Sequence, residues 1–239
     1  ITASMVKELR EKTGAGMMDC KKALTEADGD MEKATEALRQ KGIASAEKKM
    51  GRIAAEGLVA SYVNDSVGAM IEVNCETDFV AKNAEFKELC QNLAELVAEE
   101  KPADVDALLA TTCKKCGKKI EDVIKEKIAS IGEKITIRRF VIMEGHNATY
   151  IHNGKIGVLL NTDKKDAELM KDICLHIASC APKFVSRAEI PQEVIDEETG
   201  IEMGKEDLLK KPENIRAKIV EGRVNKIMAE RCLLEQPFV

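Results

Sequence analysis

Apolar positions recur along this chain with two different periods, and the switches between them mark its elements. Near the start, Met5, Val6 and Leu9 share one face of a helix that stops at Gly14. After the loop Thr13-Gly14-Ala15-Gly16, a second stripe holds Ala23, Leu24 and Ala27. Asp28-Gly29-Asp30 makes a turn, and Asp30 is placed to cap a third helix. Ala34, Ala37 and Leu38 form the apolar face of that helix, with Gly42 as its end. Three short helices within residues 1–42 predict a minimal bundle with little core, the build of a binding module. Residues 43–56, with Lys48, Lys49 and Arg52 among alanines, read as a helical linker with a solvated face.

The period then drops to two. Leu58–Val63 is followed by Ala69, Ile71, Val73 and Cys75, which alternate with Met70, Glu72 and Asn74. This predicts a hairpin turning at Asn64-Asp65-Ser66 with one face buried. Helical spacing returns at Phe86, Leu89, Cys90, Leu93 and Val97, with Asn83 as cap and Lys101-Pro102 as stop. Ile120, Val123, Ile124, Ile128 and Ile131 predict another helix ending at Gly132, and a strand follows from Ile135. A second unit repeats the pattern. Tyr150-Ile151 leads into the turn His152-Asn153-Gly154-Lys155, a two-residue hairpin signal, and a strand returns over Ile156–Leu160. Met170, Ile173, Cys174 and Ile177 then mark a helix.

The repetition predicts an α+β fold whose core is two related subdomains with antiparallel sheets, over 57–144 and 145–186. Residues 187–231 read as a projecting helical hairpin, interrupted at Gly204–Pro212. Residues 232–239, with Gln236-Pro237-Phe238-Val239, look like a truncated return to the core. The missing Met at Ile1 suggests processing or trimming.

Composition narrows the function. Aromatics are only 3% of the chain, so the core is built from aliphatic residues and Met. A net charge of −5 argues against direct nucleic-acid binding, which needs a basic surface to displace counterions. No apolar run is long enough to cross a membrane, and no secretory signal opens the chain. The eight cysteines, mostly inside apolar patterns, therefore fit reduced thiols in a cytoplasmic setting better than a disulfide framework.

Candidate chemistry is sparse. Cys113-Lys114-Lys115-Cys116 is the only C-x-x-C, with no second ligand pair at zinc spacing, and reads as an incidental loop pair. His176 sits about 110° from the centre of its helix's core stripe, so it is expected to face the rim or solvent. Cys180 lies four residues on, where a Cys/His dyad is geometrically allowed but helix filler is the simpler reading. No phosphate loop or nucleophile elbow is present. The chain therefore offers no catalytic centre, no metal site and no cofactor site.

One segment stands apart. In Val73-Asn74-Cys75-Glu76-Thr77-Asp78-Phe79-Val80-Ala81-Lys82-Asn83, a rare aromatic sits on a charged turn between a strand and a helix. Phe79 is either a probe held out for a partner or a staple folded back on the following helix.

These residues resemble a known family. Leu9-Arg10-Glu11-Lys12-Thr13-Gly14-Ala15-Gly16-Met17-Met18-Asp19-Cys20 and Glu72-Val73-Asn74-Cys75-Glu76-Thr77-Asp78-Phe79-Val80-Ala81 are similar to the two signatures of elongation factor Ts. Ile131-Gly132-Glu133, His176-Ile177-Ala178, Val220-Glu221-Gly222-Arg223 and Gln236-Pro237-Phe238-Val239 resemble further segments in the same order. The resemblance implies a guanine nucleotide exchange factor for elongation factor Tu that is not itself an enzyme.

By the same resemblance, residues 1–42 form a ubiquitin-associated-like module. Thr77, Asp78, Phe79, Val80, Ala81 and Lys82 match the segment that disturbs the Mg²⁺ site of Tu. Arg10, Met17, Met18, Ile131, Gly132 and His176 match other contacts with Tu. The 187–231 hairpin is where a homodimer, or a heterotetramer with Tu, would pair. Lys134 departs from the family's usual Asn and puts a positive charge beside a contact loop, and Ser179-Cys180-Ala181 departs from the usual context after the histidine. The family also continues past Gln-Pro-Phe-Val with a strand and a helix. A cysteine- or metal-dependent enzyme and a ubiquitin-like scaffold are the competing readings; thiol reactivity or bound metal would mark the first, and function confined to residues 1–42 the second.

Overall fold

The computed structural model describes all 239 residues. It divides into two compact units, Ile1–Met170 and Lys171–Val239. The architecture is α+β, with antiparallel sheets and helices.

The first unit opens with three helices, α1 (Ala3–Thr13), α2 (Met17–Glu26) and α3 (Met31–Lys49). The Thr2 hydroxyl accepts from Met5 N–H to start α1, and Gly14 takes the left-handed conformation that ends it. The Asp30 carboxylate accepts from the N–H groups of Glu32 and Lys33, the cap expected from the sequence. Val6, Leu9, Cys20, Leu24, Ala34 and Leu38 form the small core of this bundle.

The third helix does not stop at Gly42; it runs to Lys49. A Cβ at Gly42 would lie 3.0 Å from the Cβ of Ala129, so this glycine is a close crossing point between helices. Burial around that crossing, with Ala46 in the main core, offsets the helix-propensity cost of about 1 kcal/mol for a mid-helix glycine. The expected linker over 43–56 is therefore helical only in its first half.

A three-stranded sheet follows: β1 (Glu56–Val63), β2 (Val67–Cys75) and β3 (Thr136–Glu144), antiparallel in that order. Asn64 Oδ1 accepts from the N–H groups of Ser66 and Val67 and forms the β1–β2 turn. Ala69, Ile71, Val73 and Cys75 are buried, as the alternation predicts. They pack with α5 (Ala84–Glu100), whose inward row includes Phe86, Leu89, Cys90, Leu93 and Val97.

Between β2 and α5 lies a one-turn helix, α4 (Asp78–Lys82), where the sequence suggested only a turn. The short α6 (Val105–Ala110), also not foreseen, precedes α7 (Ile120–Ile131). A second, two-stranded sheet pairs β4 (His146–His152) with β5 (Ile156–Thr162) through Asn153 and Gly154, both at positive φ. Gly157 lets this sheet approach Val59 and Met70 of the first.

Helix α8 (Ala167–Cys180) carries the chain into the second unit. There α9 (Gln192–Met203), the short α10 (Glu206–Leu209) and α11 (Glu213–Arg231) follow. Ion pairs of Arg231 with Glu198 and of Arg223 with Glu202 run α9 and α11 antiparallel. Ile190, Leu208, Val220, Val224, Met228 and Cys232 form this unit's core. Glu202 is buried within it and is held by Lys205 at 2.5 Å and Arg223 at 3.4 Å. No helix is long and apolar enough to cross a membrane.

Candidate functional site

The corner between β2 and α5 carries the segment singled out in the sequence. Its backbone is held from two directions. The Glu133 carboxylate accepts from Glu76 N–H at 3.1 Å, from Thr77 N–H at 3.0 Å and from the Thr77 hydroxyl at 2.6 Å. In return, the Glu76 carboxylate accepts from Lys134 N–H at 2.7 Å and from Arg52 at 3.4 Å. Two loops more than fifty residues apart in sequence thus clasp each other through reciprocal carboxylate bonds to backbone. The Lys134 N–H bond, and the Arg52 guanidinium, hold the Glu76 carboxyl below its usual range against some opposing burial.

On this clasped base Thr77 also caps α4, its hydroxyl accepting from Val80 N–H at 3.4 Å. Helix geometry sorts the remaining side chains. Ala81 turns inward and is 3% exposed, while Val80 packs partly against the core. Phe79 lies about 200° around from Ala81 and is 82% exposed. The folded-back staple is therefore not what this chain adopts: one turn of helix cannot bury Ala81 and Phe79 together. Asp78 and Lys82 pair at 2.7 Å across the turn, and the hydrogen bond from that ammonium holds the Asp78 carboxyl below its usual range.

Gly132 ends α7 in the left-handed conformation, with its N–H donating to Ile128 O at 3.0 Å. This turn aims Glu133 at Thr77, so Ile131 and Gly132 are brought beside the Phe79 segment. The charge introduced by Lys134 is tied back, since its Nζ donates to Arg52 O at 2.9 Å. Glu133 and Glu76, which build the clasp, were not picked out as site residues from the sequence. The only signal was their place inside the quoted motifs.

A second group sits where α1 meets α2. Arg10, Met17 and Met18 are all exposed, Met18 by 77%. Two adjacent methionines left in water on a small bundle form an apolar patch with no intramolecular use.

His176 overturns the expectation of an outward-facing side chain. It is only 2% exposed. Its Nε2 lies 2.9 Å from Gln236 Oε1, and its ring stacks on Phe238 at 5.6 Å between centroids. Gln236 Nε2 in turn donates to Glu230 O at 2.7 Å. The wheel placed His176 correctly off its own helix stripe, but the segment after α11 lies over that flank. Cys180 Sγ is 3.9 Å from His176 Nδ1, a loose contact. No three His, Cys, Asp or Glu side chains cluster so as to hold a metal ion.

Comparison with known proteins bears on this geometry. A family model described as Elongation factor TS matches residues 76–239. Elongation factor Ts of Leuconostoc mesenteroides subsp. mesenteroides is 48% identical over 244 residues, spanning 100% of this chain and 84% of that protein. Elongation factor Ts of Thioalkalivibrio sulfidiphilus is 48% identical over 245 residues, spanning 100% of this chain and 83% of its own length.

Proposed function

The chain belongs to the elongation factor Ts family of translation elongation factors, and on that premise we propose that it binds elongation factor Tu·GDP and drives GDP release. The observation that carries this reading is Phe79, held 82% exposed on a turn whose backbone is clasped by Glu133.

A nucleotide in a GTPase is held by charge-assisted contacts and a Mg²⁺ ion that demands near-ideal geometry. An exchanger need not touch the nucleotide. It has only to bind the conformation with a distorted Mg²⁺ site better than the closed one. Phe79, flanked by Thr77, Asp78, Val80, Ala81 and Lys82, is the wedge in this proposal. Burying one phenylalanine supplies roughly 1.5–3 kcal/mol. The preformed clasp spares the cost of ordering the turn on binding.

The Arg10, Met17 and Met18 patch adds a second docking point, and Ile131 and Gly132 extend the first. His176, being buried, acts by holding Gln236 and Phe238 in place rather than by presenting its ring. Coupling is reciprocal, so GTP rebinding weakens the complex and releases the factor, which has no catalytic centre of its own. Pairing through the α9–α11 hairpin, as a homodimer or a heterotetramer with Tu, belongs to the same proposal, as does a cytoplasmic place of action. The test is release of a fluorescent GDP analogue from Tu on addition of the chain. Strong acceleration is expected; a release rate equal to that of Tu alone would overturn the exchange reading.

A further inference from the structure

Six of the eight thiols are buried or half-buried within helices, strands or their ends, and the contrast isolates one pair. Cys20, Cys75, Cys90, Cys174 and Cys232 are buried. Burial pushes Cys75 up to about 11, Cys90 to about 12 and Cys174 to about 11, which leaves them inert as nucleophiles. Cys180 is half-buried.

Cys113 and Cys116 sit in the loop between α6 and α7, half-buried and exposed respectively. The loop is folded, not slack. Thr112 and Lys119 pair as an isolated antiparallel bridge, and Cys113 N–H donates to Lys118 O at 2.8 Å. Gly117 N–H donates to Cys113 O at 2.8 Å, closing one helical turn over 113–117, and Gly117 leaves that turn at φ 69.

Residues three apart on such a turn face the same side, about 5–6 Å apart at Cβ. A disulfide asks for about 3.5–4.5 Å, a closure that an exposed turn next to a left-handed glycine can make. The lysines between the thiols are used to moor the loop on α5. Lys114 pairs with Glu100 at 2.5 Å and Glu99 at 3.5 Å, and Lys115 with Glu95 at 3.5 Å. Burial opposes ionisation of Cys113, but it is outweighed by the Cys116 thiol, by the backbone N–H groups of Cys116 and Lys115, and by the Lys115 ammonium. The Cys113 thiol is thereby made more acidic than a free cysteine.

We propose that Cys113 and Cys116 form a reversible dithiol–disulfide site, with Cys113 as the attacking thiolate and Cys116 as the resolving thiol. With a peroxide as oxidant, the Cys113 thiolate attacks one oxygen, the O–O bond breaks, and hydroxide leaves. Cys113 is then a sulfenic acid. Cys116 attacks that sulfur, the S–S bond forms, the S–O bond breaks, and the hydroxyl departs as water with the Cys116 proton. Two thiols have lost two electrons, and the peroxide has been reduced to two waters. An external dithiol reverses the bond through a mixed disulfide.

The test treats the full-length reduced chain with stoichiometric hydrogen peroxide, quenches with N-ethylmaleimide, and maps peptides by mass. The expected result is a loss of two hydrogen masses on the peptide holding Cys113 and Cys116, restored by dithiothreitol, while Cys180 remains alkylated. In Cys116→Ser, Cys113 is expected to halt at the sulfenic acid and be trapped by dimedone. Full alkylation of both residues after peroxide would overturn the proposal, as would oxidation of Cys180 or a buried thiol ahead of the pair. The wild-type result decides without depending on how any variant folds.

Discussion

From the sequence, Phe79 on its charged turn could point out to a partner or fold back, and His176 was expected to face the rim or solvent, yet one is 82% exposed and the other 2%. The difference lies in what each local pattern can see. Phe79 is governed by its own turn: Ala81 inward, Asp78 and Lys82 paired, and the backbone fixed by Glu133, so the aromatic has nowhere to go but out. His176 is governed by residues sixty positions later, because Gln236 and Phe238 close over it. A helical wheel reports which side a residue faces; it does not report what lies on that side. The exposed aromatic is thus suited to a partner, and the buried histidine to internal packing.

Substitutions should separate these two settings cleanly. The largest effect on stability is expected at His176. His176→Ala removes the bond to Gln236 and the stack on Phe238, and should cost about 2–3 kcal/mol by urea unfolding. If the midpoint does not move, the ring is not the packing element described here.

The clasp comes next. Glu133→Ala releases the N–H groups of Glu76 and Thr77 and the Thr77 hydroxyl, with an expected loss of about 1–2 kcal/mol and faster amide exchange at Glu76 and Thr77. It should also slow GDP release from Tu, because the wedge would no longer be ordered beforehand. Unchanged amide protection would show that another contact fixes this turn.

The smallest effect is expected with acid. The Lys134 N–H bond holds the folded-state Glu76 carboxyl below the ordinary glutamate value of about 4.5, so its contribution is complete above that pH and is lost as pH falls through the lower folded value. The amide resonance of Lys134, which donates to this carboxylate, should shift with a midpoint under 4.5. In Glu76→Gln that titration should vanish.

Much of the frame was legible because it is locally encoded. The caps at Asp30 and Asn83, the alternation of β2, the Asn153-Gly154 turn and the stop at Gly132 each depend on residues a few positions apart. What escaped was tertiary. Gly42 looks like a helix end until Ala129 is placed against it. Glu133 looks like an ordinary loop carboxylate until it meets Thr77, 56 residues away in sequence. The site itself was half visible: the motif marked Phe79, but neither the one-turn helix that turns it outward nor the clasp that holds that helix.

The most direct test of the central claim pairs two readings on Phe79→Ala: its unfolding midpoint and its ability to release a fluorescent GDP analogue from elongation factor Tu. An exposed side chain should leave stability within about 0.5 kcal/mol of the parent. Loss of the wedge should slow release by about ten- to a hundredfold, the equivalent of burying one phenylalanine. A variant that is equally stable and releases GDP as fast as the parent would contradict the account. It would show that this exposed aromatic does not drive GDP release.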